Sequence, residues 1–193
     1  PGESKTDRRD AFVIADTGRT RRRSIHWLDA GNDELLEQLR VLNGFDIDLA
    51  ADLTRLTNRL RDSLVSVSPA LERAVGSRLH QAGVRDLLAK FPTPAALRAA
   101  GRARINTAVK KRSPRVAAKV VDAVTAALDA QSVTMPAEQA VGRVIAELAV
   151  ELDRIHARRD ALAAEIEEVF LAHPFGQVLV TLPGIGPRTG ARI

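Results

Sequence analysis

Two aspartates near the start of the chain, Asp7 and Asp10 in the segment KTDRRDA, have a type and spacing that could do chemistry. Three residues apart on a helix, they stand one turn from each other on one face. Carboxylates so placed offer hard oxygen ligands to divalent cations, and paired Mg²⁺ ions serve phosphodiester cleavage. The same residues have a plainer use, because Asp in a first helical turn caps backbone amides and complements the helix dipole. The other end of the chain, LPGIGPRTGARI over residues 182–193, suits a different task. An apolar residue, then PGIG, then a small-residue helix fits a helix-hairpin-helix. Gly184 and Gly186 would let the backbone turn tightly and bring its N–H groups close to a DNA phosphate. A helix starting after Pro187 would add its positive end. Gly184, Ile185, Gly186, Arg188 and Thr189 are therefore the candidate DNA-binding residues, holding phosphate without reading sequence. A plain glycine turn between two helices is the alternative.

Other chemistries find no support. His26, His80, His156 and His173 lack ligand-like spacing, and there is no nucleophile elbow, P-loop or dinucleotide fingerprint. With no Cys there is neither a disulfide framework nor a thiolate metal site. The net charge of +5, carried mostly by Arg, attracts polyanions, since the guanidinium fork matches phosphate. A GC-rich genome would raise Arg and Ala in the same way. No apolar run approaches the length that spans a bilayer and no signal peptide is visible, so a soluble cytoplasmic protein without a membrane partner is expected.

The elements that must position these residues read as mostly α. Hydrophobic residues make up 45% of the chain but aromatics only 3%, with no Tyr. Apolar content dominated by Ala, Leu and Val favours helices over strands. Residues 5–17 read as a short helix, followed by a connector with an Arg run over residues 19–23 and an apolar anchor at Trp27. Leu35, Leu39, Leu42, Leu49, Leu53, Leu56 and Leu60 then step by four and three, with Asp46 in the one slot left open. That seam predicts a single helix over residues 33–67, capped by Asn32 or Asp33, stopped before Pro69 and weakest near Gly44. A second seam, Val141, Ile145, Leu148, Leu152, Ile155, Leu162, Ile166 and Val169, predicts a helix over 137–172 and is broken only at Arg159. The expected architecture is a long antiparallel coiled-coil hairpin capped by a helical insert at 69–135. Asp46 and Arg159 either fix its register or mark where the helices diverge. Within the insert, Pro and Gly punctuation predicts helices near 84–90, 94–100, 102–111 and 115–130. Its basic stretch, Arg102, Arg104, Lys110, Lys111, Arg112 and Arg115, is a further candidate for nucleic-acid contact.

Taken in order along the chain, these segments resemble the DEDD transposases of bacterial insertion sequences, the insertion-sequence one-ten family. KTDRRDA looks like the family's K-x-D-x-x-D-A segment, which closes its RuvC-like nuclease domain. TRLTNRLRDSL over 54–64 resembles its N-R-L-R stretch, and LLAKFPTPAALRAAG over 87–101 is similar to its connector. LVTLPGIGPRTGARI over 179–193 looks like the start of its C-terminal transposase domain. The resemblance implies three regions. Residues 1–31 would be the last helix of an RNase H-like domain with its connector, residues 32–173 the capped hairpin, and residues 174–193 the start of a helix-hairpin-helix domain. It implies that Asp7 and Asp10 are the last two of four catalytic, Mg²⁺-binding acids. The first Asp and the Glu would lie upstream of Pro1, and a serine nucleophile downstream of Ile193. Both ends then read as cuts, and the chain alone is expected to be inactive. The implied partners are DNA, a structured guide RNA that pairs with donor and target, and further copies of the chain through the coiled coil. The competing reading is a non-enzymatic coiled-coil adaptor that binds DNA through a helix-hairpin-helix.

Overall fold

Both leucine seams become long helices. The computed structural model describes residues 7–20, 34–131 and 135–192, and these are mostly helical with no strand among them. Helix α1 spans Asp7–Thr20 and α2 spans Glu34–Val67. The insert supplies α3 (Pro69–Val75), a 3₁₀ turn (Gly76–Arg78), α4 (Ala82–Lys90), α5 (Pro94–Lys110) and α6 (Ala117–Ala130). The second long helix, α7, spans Glu138–Ala172, and two short ones follow, α8 (Pro174–Leu179) and α9 (Pro187–Gly190). Residues 21–23 of the Arg run, Trp27 and the caps expected from Asn32 and Asp33 lie outside the described residues.

Helices α2 and α7 pack along each other, about 50 Å each at 1.5 Å per residue. Residues early in α2 meet residues late in α7: Asp46 bonds Arg159, and Gln38 and Leu42 share a hollow with Glu165. The pair is therefore antiparallel. Leu39, Leu49, Leu56 and Leu60 from the first seam are buried, as are Ile145, Leu148, Leu152, Ile155, Leu162 and Ile166 from the second. Each such side chain taken from water contributes roughly 1.5–3 kcal/mol before entropy is counted. Helix α2 continues through Gly44 and Asp46, so the weak point expected there does not interrupt it.

The insert packs on this pair. Helix α4 lies against α7 and α5, while α6 lies against α3 and α5. Leu71, Val75, Leu87, Leu97, Ile105 and Val124, each at most 1% exposed, join the core of the long helices. The break expected between 100 and 102 is a kink, with Gly101 at φ 71° inside α5. Helix α3 goes beyond the sequence pattern, in which Pro69 marks only a stop. In fact it opens α3 at the first turn, where a missing N–H costs nothing, and the Ser68 hydroxyl accepts the Leu71 N–H at 3.2 Å.

Candidate nucleic-acid interface

The two polar residues in the seams face each other. Arg159 donates from Nε to Asp46 Oδ1 at 2.8 Å and from Nη2 to Oδ2 at 3.0 Å, a two-pronged pair bridging α7 and α2. Of the two uses the seam left open, register is the one the geometry favours, since a bidentate pair fits in one alignment only. The Arg159 guanidinium, bonded to it, holds the buried Asp46 carboxyl below the usual carboxylate range against the opposing effect of burial.

Asp46 also reaches the terminal segment. Arg192 donates to Asp46 Oδ2 at 2.8 Å, and the Asn43 side-chain amide donates to the Ala191 carbonyl at 2.6 Å. On the α7 side, Gly176 of α8 and Gly190 of α9 pack so closely on Phe170 that a Cβ at either would overlap it. Polar bonds from α2 and an aromatic ring from α7 thus seat the segment that carries the candidate turn. Sequence reasoning passed over Asn43 and Arg192 as site-positioning residues. Nothing in their local pattern marks them, because their partners are 148 and 146 residues away.

The turn itself is tight. Gly184 has φ 84°, a left-handed value that disfavours any side chain, and Gly186 is extended at φ −89°. Both have open space where a Cβ would stand. Ile185 donates its N–H to the Leu182 carbonyl, and Thr189 and Gly190 donate theirs to Gly186. Among the described residues neither the Gly184 nor the Gly186 N–H donates a hydrogen bond. Arg188 and Thr189 are exposed, whereas Ile185 is half-buried. The helix expected after Pro187 opens there as α9, with Pro187 in its first turn.

The basic stretch of the insert divides in two. Arg102 pairs with Asp122 and Thr125, and Arg112 with Asp86 and Asp153, so both brace the fold. Arg104, Lys110, Lys111 and Arg115 are exposed and make no ion pair among the described residues. Beneath Arg112, the buried Arg85 also holds Asp153 and donates to the carbonyls of Leu79 and His80. Burial raises the Asp153 carboxyl, but its bonds to Arg112 and Arg85 outweigh that and leave it lowered. Burial lowers the neighbouring His156, with Arg85 adding to the effect.

Asp7 opens α1 and Asp10 follows one turn later, the register in which two carboxylates share a face. Their side chains lie outside the described residues. Among the described residues no cluster of three or more acids, His or Cys could hold a metal ion, and no helix is long and apolar enough to cross a membrane.

Comparison with known proteins places the chain. A family model described as a transposase matches residues 1–69. Over nearly its whole length the chain is similar to insertion-element proteins. It is 44% identical over 191 residues to the 43.6 kDa protein of insertion element IS110 from Streptomyces coelicolor. It is 38% identical over 190 residues to the 44.8 kDa protein of IS116 from Streptomyces clavuligerus. It is 36% identical over 190 residues to the 42 kDa protein of IS900 from Mycobacterium paratuberculosis. The chain belongs to the IS110 family of transposases. These matches cover 98–99% of the chain but 47% of each relative, so it spans about half their length. No solved structure matches it.

Proposed function

We propose that the chain is the linking segment of a transposase that cuts and rejoins DNA strands when an insertion element moves. Its membership of the IS110 family carries this reading. In this reading, residues 1–31 close a RuvC-like nuclease domain. Asp7 and Asp10 supply two of the oxygen ligands for Mg²⁺, whose charge would stabilise the phosphate oxygens as the strand breaks. The remaining acids come from elsewhere in the whole protein. Residues 32–173 form a coiled-coil hairpin that sets the distance between the nuclease domain and the terminal turn. It also joins copies of the chain, for which the exposed Val41, Ile47, Val144 and Val150 on its long helices offer apolar surface. Residues 174–193 begin a helix-hairpin-helix domain whose Gly184–Gly186 amides, with Arg188 and Thr189, hold DNA phosphates. The guide RNA implied by the resemblance is a further partner.

The deciding assay is strand cleavage by the whole protein with Mg²⁺. Asp10→Asn should abolish cutting and leave folding unchanged. Normal cutting by that variant would make the two carboxylates helix caps and favour the adaptor reading.

A further inference from the structure

The chain's positive charge is concentrated in one place. Residues 87–121 contain nine Lys and Arg and no Asp or Glu. The whole chain has 29 cations and 24 acids, so the remaining residues hold 20 cations against 24 acids and are net negative. The excess of +5 is therefore a property of the insert, and a composition bias would have spread it evenly.

The structure shows where that charge faces. The last turn of α5 and the loop that follows it present Lys110, Lys111 and Arg115 to solvent without ion pairs among the described residues. The loop is tied to α7 by Arg112, bonded to Asp153 at 2.9 Å. Asp153, His156 and Asp160 lie three and four residues apart, which makes them one stripe of that helix. Further along the stripe, His156 and Asp160 line a cleft of about 140 Å³ shared with Arg188 and Arg192 of the terminal segment. The basic loop and the terminal segment thus flank the same strip of α7. The seven helical steps from Asp153 to Asp160 cover about 10 Å, near three base-pair rises of duplex DNA. Asp86 and Asp153 are paired with Arg112, and Asp46 with Arg159 and Arg192. Asp160, also on the strip, has no ion pair among the described residues.

We propose that the α5–α6 loop is a second seat for the phosphate backbone of duplex DNA, gripping the same duplex that the terminal turn holds. This rests on the DNA-binding reading of that turn. Duplex is favoured over single strand because the basic stretch lacks a stacking platform. Its one aromatic residue, Phe91, is half-buried under Lys90. Contacts of this kind position without specifying, so the grip is independent of sequence.

The test uses the 193-residue chain and two unrelated 20-base-pair duplexes, with fluorescence anisotropy at several salt concentrations. Lys110→Glu with Lys111→Glu should lower affinity at least tenfold for both duplexes and reduce the salt slope by about two. The same charge reversal at exposed Arg59 and Arg73, outside the stretch, should change affinity less than threefold. Asp160→Asn should raise affinity two- to threefold. Affinity within twofold of wild type for the loop variant, or an equal loss in the Arg59 and Arg73 control, overturns the proposal. Tighter binding of an RNA duplex of the same sequence overturns the assignment to DNA. Gly186→Val separates the two readings. If it weakens binding and the loop variant does not, the loop fails and the turn stands. If the loop variant weakens binding and Gly186→Val does not, the turn reading fails and a shared duplex fails with it.

Discussion

The α2–α7 pair is closed differently at its two ends. Where the insert packs, Leu60, Leu64, Ile145 and Leu152 are each 0% exposed and an apolar core seals α2 against α7. At the other end the same two helices diverge in character. Phe45 and Ile47 are exposed, and an apolar hollow of about 1050 Å³ lies between α2 and the terminal segment. There the closure is charged: Asp46 joins Arg159 and Arg192. Apolar burial gives stability without direction, whereas a bidentate ion pair gives direction at a desolvation cost that can cancel its attraction. One end is held by apolar packing, and the other holds residues 191 and 192 in one place through Asn43 and Asp46.

The two ends should differ in how they tolerate truncation. Leu60→Ala, at the insert end, should cost about 2–5 kcal/mol and lower the denaturant midpoint accordingly. Ile47→Ala, at the open end, should stay within about 0.5 kcal/mol of wild type. Equal losses would mean that the open end is as tightly packed as the other.

The charged clasp should come next in size. Asp46→Ala leaves Arg159 largely buried without its partner, at a cost of about 2–3 kcal/mol once partial exposure is allowed for. Hydrogen exchange should rise at 185–192, where Arg192 loses its anchor. Replacing the pair by Asp46→Leu with Arg159→Leu should recover most of the stability, since apolar residues often substitute well for a buried ion pair. Exchange at 185–192 should stay high in that variant. Full protection there would show that Asp46 does not seat the terminal segment.

The same contrast explains what the sequence disclosed. The leucine seams are local patterns, repeated often enough to override any single exception, so both long helices and their mutual packing were legible. The break at Gly101 was legible for the same reason, as a residue with its own backbone preference. Helix α3 was missed because Pro69 ends one helix and starts the next, and a proline reads the same in both uses. Asp46 and Arg159 were visible as opposite charges in the two unfilled slots, but their pairing depends on register, which no local pattern contains. Asn43, Arg85 and Arg192 act through partners far along the chain or through backbone carbonyls, and left no trace in spacing.

Acidification should separate two phases of stability loss. Burial holds His156 below its ordinary value, so the unfolded chain takes up a proton first. Its contribution is lost as pH falls through about 6.5 and levels off below the folded value. Asp46 is also lowered, but here the contribution is complete above about 3.9 and disappears as pH falls through the folded value. Asp153 acts with the same sign. Melting temperature should therefore drop slightly between pH 7 and 5 and more steeply below 4. His156→Gln should flatten the first phase only, and Asp46→Asn should weaken the second. A first phase that persists in His156→Gln would assign it to another group.

The smallest effect on the fold should accompany a clear effect on the ligand. Gly186 has an extended backbone that any residue adopts, and a Cβ built there meets nothing within 4 Å. Gly186→Ala should therefore change stability by no more than about 0.5 kcal/mol. Gly184 is a poorer probe, because its φ of 84° would strain any replacement and mix folding with binding. If a phosphate approaches the Gly186 N–H, even one methyl group stands in its way, and Gly186→Val should weaken DNA binding more than Gly186→Ala does. The loss should be the same for unrelated duplexes, since the contact is to backbone. Parallel melting curves and binding isotherms settle the matter. Unchanged melting with graded loss of affinity places the phosphate at the turn, whereas unchanged affinity in both variants leaves Gly186 a connector and moves the DNA elsewhere on the open end.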